Sequence, residues 1–323
     1  NTLVALQAAP GGAAPRIVWR YKRGLPYVAS PLFYRGHVYL VKDGGIVTVL
    51  DAETGKLLRQ SRARGEGNFY ASPAAGDTIA LLAHDGAMLG WGAYSPESQI
   101  RARAWSFEPA DRIDEAFLAE RLERAVARRA GLLDARHDAC RLVHSESDDL
   151  PGLIVDRYGD VAVMQLLSAG AERWRDFWPG ALAKAAGVTA VYERSDAEVR
   201  TLEGLAPRSG PALGETAGTV AMREAGIAYG VDIAHGQKTG FFLDQRDNRA
   251  LAATLAKDAS VLNLFCYTGG FTLAALAAGA ASTLSVDTSE EALEAGRLAV
   301  AANGLDESRA RWINADVFAY LRR

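Results

Sequence analysis

Residues 246–316 alternate between two textures, and this constrains the fold more than any other feature of the chain. A helical stretch over 246–256 precedes an apolar run at 260–265. A helix over 271–278, a second run at 283–286, a helix over 289–303 and a third run at 310–314 follow, ending near Asp316. Short apolar runs without polar alternation are strands buried on both faces. Strands joined through helices pair in parallel, because only a crossover returns the chain to the same end of a sheet. The pattern predicts an α/β unit, a parallel sheet with flanking helices.

The first strand passes through Asn263 into Cys266-Tyr267-Thr268-Gly269-Gly270, a glycine turn that opens a helix. Glycine lets the backbone approach a ligand, and the helix start presents free N–H groups. Asp287 stands at the end of the second strand, 20 residues beyond Tyr267, the spacing at which a carboxylate reaches ribose hydroxyls. Asp316 ends the third strand on the same edge. Ligands of open α/β sheets sit at the carboxyl ends of strands, so one nucleoside-sized ligand is expected there. The G-x-G-x-x-G loop that holds a dinucleotide pyrophosphate is absent, which disfavours a nicotinamide dehydrogenase. A phosphate-free ligand such as S-adenosylmethionine fits the shorter loop. The bland alternative, a βαβ unit whose Gly-Gly is only a tight turn, leaves both placed acids unexplained.

Upstream, the texture changes. Residues 37–41 and 46–50 flank Asp43-Gly44-Gly45 and read as antiparallel strands. Val28-Ala29-Ser30-Pro31 has a partial echo in Tyr70-Ala71-Ser72-Pro73, with the serines 42 residues apart, near the period of a four-stranded propeller blade. Asp114 is a helix N-cap before an apolar stripe of Phe117, Leu118, Leu122 and Val126. Residues 152–167 read as a hairpin about Tyr158-Gly159-Asp160, 171–186 as a helix, 189–193 as a strand, and 219–233 as a hairpin turning at Glu224-Ala225-Gly226.

Composition narrows the partners. At 323 residues the chain holds about two domains, and 49% hydrophobic with 23% charged residues is globular. Net charge is −3, so no global positive field draws nucleic acid, and RNA contact needs a local basic patch or shaped pocket. Arg121, Arg124, Arg128 and Arg129 are one such candidate, with a solvated helix face as the alternative. Two cysteines, Cys140 and Cys266, build no disulfide framework, so a reducing cytoplasm is expected. No apolar run reaches membrane-spanning length, no signal peptide is expected, and the histidines show no metal-ligand spacing.

From about Gly76 the chain resembles the bacterial 23S ribosomal RNA cytosine-5 methyltransferases of the large-subunit methyltransferase I type. The stretches that carry the resemblance are Gly90-Trp91-Gly92-Ala93-Tyr94-Ser95-Pro96, Glu146-Ser147-Asp148, Leu150-Pro151-Gly152-Leu153, Glu193-Arg194-Ser195-Asp196, residues 235–249 and residues 263–271. The resemblance implies a partial PUA-like β segment (77–108), a linker helix with a central α+β domain (109–235), and the first half of a Rossmann-like methyltransferase domain (236–323). It implies S-adenosylmethionine as cofactor and 23S ribosomal RNA as partner. Lys238, Thr239, Gly240, Phe242, Asp244, Gln245 and Arg246 would close over the methionine part of the cofactor. Asn263 and the Tyr267, Thr268 and Gly269 turn would form the glycine loop, with Asp287 on the ribose and Asp316 and Val317 at the adenine. The family's Asp-Pro-Pro-Lys and Ser-Cys-Ser-Gly segments, the latter supplying a nucleophilic cysteine, have no match here. No catalytic residue is therefore assigned, and the chain by itself is expected to be inactive. Exposed sheet edges, 260–265 among them, are expected to promote self-association.

Residues 1–76 resemble a quinoprotein-type β-propeller repeat, carried by Gly36-His37-Val38-Tyr39-Leu40-Val41 and residues 45–56. Two blades at most would fit, and a propeller needs four to eight. The alternative function is therefore a non-enzymatic propeller binding module fused to a methyltransferase fragment.

Overall fold

A computed structural model describes residues 2–7, 16–23, 25, 31–42, 46–62 and 74–322. The chain divides into two compact units, Asn1–Ala74 and Ala75–Arg323.

In the first unit, β1 (Leu3–Gln7) pairs antiparallel with β2 (Arg16–Tyr21). Strands β3 (Leu32–Tyr34), β4 (His37–Lys42), β5 (Ile46–Asp51) and β6 (Leu57–Arg62) form an antiparallel meander. Alternation along β4 and β5 buries Val38, Leu40 and Leu50 against Trp19. The Trp19 indole N–H donates to the Ala52 carbonyl at 2.8 Å. The two predicted strands are present as β4 and β5. Asp43-Gly44-Gly45, Val28-Ala29-Ser30 and Tyr70-Ala71-Ser72-Pro73 lie outside the described residues.

The second unit opens with an antiparallel sheet of β7 (Thr78–Leu82), β8 (Met88–Tyr94) and β9 (Ala102–Ser106). Helix α1 (Glu115–Arg128) starts where expected, with the Asp114 carboxylate accepting from the Phe117 N–H at 3.1 Å. Its buried face, Leu118, Leu122 and Ala125, covers a five-stranded sheet. That sheet runs in order β10 (Ala139–His144), β11 (Leu153–Tyr158), β12 (Val161–Leu166), β13 (Ala190–Ser195), β14 (Arg208–Leu213). Only the β12–β13 pair is parallel, and the crossover between them is helical.

The helix expected over 171–186 is instead two helices, α2 (Ala169–Arg173) and α3 (Trp178–Ala186). Pro179 explains the break. It lacks an N–H and clashes inside a helix, but suits a first turn, where it lies in α3. Strand β14 was not foreseen either. It contains Gly210 and Pro211, and such residues are tolerated on a sheet edge, which is where it lies.

Strands β15 (Thr219–Glu224) and β16 (Ile227–Asp232) form the expected hairpin. Ala225 and Gly226 at its tip have φ of 55° and 84°, the left-handed pair that a tight two-residue hairpin needs. The βαβαβ stretch follows: α4 (Arg246–Ala256), β17 (Ser260–Leu264), α5 (Gly270–Ala277), β18 (Ser282–Asp287), α6 (Glu290–Ala302) and β19 (Ala310–Asn314), closed by α7 (Val317–Leu321). The three strands are parallel in the order β17-β18-β19. Leu273 and Leu276 of α5 and Val300 of α6 pack with Met222, Tyr229 and Val231, so the hairpin shares a core with the parallel sheet. Strand β17 pairs only with β18 among the described residues, the sheet edge expected of 260–265, but Leu262 is 51% exposed where burial on both faces was expected.

Candidate cofactor site

Between β17 and α5 the chain turns through a strained path. Phe265, Tyr267 and Gly269 have φ of 55°, 50° and 75°. Non-glycine residues hold the left-handed region at a cost, and persist there only where their surroundings fix them. Tyr267 is fixed four ways. Its N–H donates to Asp287 Oδ2 at 2.8 Å. Its phenol oxygen accepts from the Gln237 N–H at 3.0 Å and donates to the Gly240 carbonyl at 3.1 Å. Its ring meets Phe242 edge-on, with centroids 5.6 Å apart. Gly269 must be glycine for a second reason: a Cβ there would lie 2.4 Å from the Trp312 ring.

Asp287 ends β18 and uses both oxygens on backbone donors, Tyr267 N–H and Ser289 N–H at 3.0 Å. The Ala315 N–H bonds the Asp287 carbonyl at 3.0 Å, bringing the end of β19 alongside. Asp316, exposed, caps α7 by accepting from the Ala319 N–H at 2.7 Å, and Val317 beside it is buried. The two carboxylates thus stand at the same end of adjacent parallel strands. Neither forms an ion pair among the described residues. Ionised carboxylates accept at about four lone-pair sites, so each keeps capacity for ligand hydroxyl or amine donors.

The 238–246 segment is split. The Lys238 ammonium lies 3.2 Å from Asp244 and 4.4 Å from the Phe242 ring centroid. Partial burial would raise the Asp244 pKa, but Lys238 outweighs it and holds the carboxyl below its ordinary range. Gln245 accepts from Asn248 at 2.9 Å. Through Phe242 and Gly240 this part touches Tyr267 and so the glycine loop. The Thr239 and Arg246 side chains are engaged away from the glycine loop. The Thr239 hydroxyl is fully buried, 2.6 Å from Asp156 and 2.8 Å from the Tyr158 phenol. Arg246 donates to the Ala139 carbonyl and lies 3.7 Å from Glu224. Both tie the segment to the central sheet. Asn263 also points inward, donating to Thr272 at 2.8 Å, while Thr268 is half-buried in the loop.

Cys266 is buried beneath the loop, where burial and then the Asp287 charge push its thiol up to about 12. Burial raises Cys140 as well. Both are neutral thiols at pH 7. The arginines of α1 are largely spent. Arg129 and Arg128 pair with Asp148 at 2.5 and 3.1 Å, Arg124 with Asp149 at 3.4 Å, and Arg121 donates to the Asp149 carbonyl.

Three aromatic residues of the site were not foreseen. Trp312 fills the space that Gly269 and Gly296 leave open. Phe265 and Phe318, 63% and 61% exposed, meet edge-on at 5.7 Å beside the strand ends. A large aromatic kept exposed next to a glycine turn is the signal that could have marked Phe265. Two surface cavities of about 320 Å³ lie elsewhere, one beside Arg297 and Arg311, the other beside Arg103 and Glu146. Trp312 reaches the first of them, but none of the residues expected from the sequence to hold the cofactor lines either.

Comparison with known proteins points to a family. Residues 208–322 match a family described as S-adenosylmethionine-dependent methyltransferase, and residues 63–107 match a PUA-like domain. The chain is 51% identical over 78% of its length to ribosomal RNA large subunit methyltransferase I of Shewanella denitrificans, and covers 64% of that protein. It is 49% identical to the protein of that name from Alteromonas mediterranea, over 76% of this chain and 62% of that protein. It thus spans somewhat less than two thirds of these curated relatives. A Streptococcus mutans structure described as a SAM-dependent methyltransferase superposes with a TM-score of 0.67 at 25% identity, over 77% of this chain and 65% of that one. A methyltransferase structure complexed with SAH gives the same TM-score at 26% identity, over 77% of this chain and 64% of that one.

Proposed function

This chain resembles large-subunit ribosomal RNA methyltransferase I over more than three quarters of its length, and from that premise we propose that it binds S-adenosylmethionine for methyl transfer to large-subunit ribosomal RNA. The observation that carries the reading is the meeting of Tyr267, Asp287 and Asp316 at one end of three parallel strands. The donor set fits the cofactor. Adenosine offers a ribose diol and an exocyclic amine, both hydrogen-bond donors and neither charged. Carboxylates without cationic partners are their matching acceptors. Asp287 takes the ribose. Asp316, with Val317, takes the adenine edge. Gly269 and Thr268 give the backbone close approach to the chain of the cofactor. Lys238, Gly240, Phe242, Asp244 and Gln245 close the methionine side. Thr239, Arg246 and Asn263 support the site from behind.

When bound, the cofactor supplies an electrophilic methyl group on a sulfonium. By resemblance the acceptor is cytosine C5 of 23S ribosomal RNA. That carbon becomes nucleophilic only after a thiolate adds to the neighbouring C6. Neither Cys266 nor Cys140 is such a thiolate, since both are buried and protonated. A polypeptide of residues 1–323 is therefore a cofactor binder that transfers no methyl group by itself. The PUA-like match begins at residue 63, ahead of the 77–108 read from the sequence, and we take 109–235 as the central domain and 236–323 as the cofactor domain. Action on ribosomal RNA would put the protein in the cytoplasm. Calorimetry tests the reading: S-adenosylhomocysteine should bind with micromolar affinity, about −8 kcal/mol, and NAD should not bind. Binding of NAD in preference would revive the dehydrogenase reading.

A further inference from the structure

A buried guanidinium of the central sheet reaches the turn that leads into the site described above. Arg194, next to last in β13, has a side chain only 8% exposed. It donates to the Ile233 carbonyl at 2.9 Å and the Gly236 carbonyl at 3.1 Å, and its Nε faces Asp196 at 3.2 Å. Its two outer nitrogens therefore grip both ends of the turn that leads from β16 to Lys238. Asp232 fixes the same turn from inside, accepting from Ala234 N–H and His235 N–H at 2.9 and 2.8 Å. Gln237 N–H, in the same peptide group as the Gly236 carbonyl, is the one that donates to the Tyr267 phenol. The approach is tight, since a Cβ on Gly236 would lie 2.8 Å from that phenol oxygen.

Resting on the cofactor reading, we propose that Arg194 is a positioning residue: through the Gly236–Gln237 turn it holds Tyr267 in the left-handed conformation that shapes the glycine loop. Tyr267 sits at φ 50°, a conformation that lapses unless its neighbours enforce it. Its phenol is one of those restraints, and Arg194 sets the height of the group that binds it. The charge is felt there: burial raises the Tyr267 phenol above its ordinary range, and Arg194 opposes that rise. A guanidinium suits the task because its planar fork serves two carbonyls and a carboxylate at once, which a lysine ammonium does not.

The test is a double-variant cycle on the full chain, read by calorimetry with S-adenosylhomocysteine. Arg194→Met and Tyr267→Phe should each weaken binding about tenfold, and the double variant should be no weaker than the worse single one, because both break one path. Arg194→Lys should recover part of the loss. Gly236→Ala, which pushes the turn off the phenol, should match Arg194→Met and carries the test if that variant does not fold. Hydrogen exchange at the Gln237 amide should quicken about tenfold in folded Arg194→Met without any cofactor. A folded Arg194→Met that binds as tightly as wild type, losses that multiply in the double variant, or unchanged Gln237 exchange would overturn the proposal. If wild type binds no S-adenosylhomocysteine while Gln237 exchange still depends on Arg194, the functional reading fails and the positioning role stands.

Discussion

Asp148, Asp156 and Glu203 of the central domain each face an arginine, whereas Asp287 and Asp316 of the parallel sheet face none among the described residues. Asp156 takes the Arg141 guanidinium through two bonds, at 2.8 and 3.0 Å, and the Thr239 hydroxyl as well. Asp148 takes Arg129, Arg128 and the His144 N–H. Glu203 gathers Ser95, Arg103 and the Ala169 N–H, fastening the β7–β9 sheet to α2. These carboxylates are saturated and nearly inaccessible. Among the described residues, Asp287 and Asp316 receive only backbone N–H groups, at the strand ends of the sheet. A saturated, paired carboxylate is architecture. One that is oriented by amides and meets no cation among the described residues keeps acceptor capacity for hydroxyl and amine donors.

That contrast breaks most visibly through stability. Asp148→Asn strands two arginines beside a buried amide and should cost about 3–5 kcal/mol in urea unfolding, with affinity for S-adenosylhomocysteine unchanged in the folded protein. The pH dependence has a definite sign. Burial alone would raise the Asp148 pKa, but Arg129 and the His144 N–H hold it below the ordinary aspartate range. Its contribution is therefore complete above about pH 4 and is lost as pH falls through the lower folded value.

The parallel sheet should behave in the opposite way. Asp287→Ala should weaken S-adenosylhomocysteine binding by about 1.5–3 kcal/mol in calorimetry, the worth of hydrogen bonds to a charged acceptor. Asp316→Ala should give a smaller loss of binding, together with about 1 kcal/mol of helix-cap stability. Equal damage to stability from Asp287→Ala and Asp148→Asn would erase the distinction.

Cys266 sharpens it from beneath. With its pKa pushed up to about 12, its thiol should resist iodoacetamide at pH 8 in the folded protein and react readily in urea. Rapid alkylation of the folded protein would mean the loop is open and the thiol available. Because the folded pKa is the higher one, any stability linked to Cys266 is full below the unfolded value near 8.5 and is lost as pH rises toward about 12.

Much of the parallel sheet was legible because each element announces itself locally. The apolar runs, the Gly269-Gly270 turn and the strand-end positions of Asp287 and Asp316 lie on a helical or strand period with no need of distant partners. What could not be read depends on residues far apart. Thr239 belongs to Asp156, Arg246 to Ala139, and Arg194 to Gly236, pairs separated by 83, 107 and 42 positions. No local period records such a pairing. The α2–α3 break was legible, since Pro179 stood in plain sight within the supposed helix. The arginines of α1 looked like a basic face because Asp148 and Asp149, their partners, lie on a different element.

The central claim, that Asp287 and Asp316 hold adenosine, is tested most directly by a crystal structure of the chain with S-adenosylhomocysteine. The account predicts the ribose hydroxyls within hydrogen-bond reach of Asp287 and the adenine amine facing Asp316, with Tyr267 still left-handed. An adenosine moiety bound away from both carboxylates would contradict it.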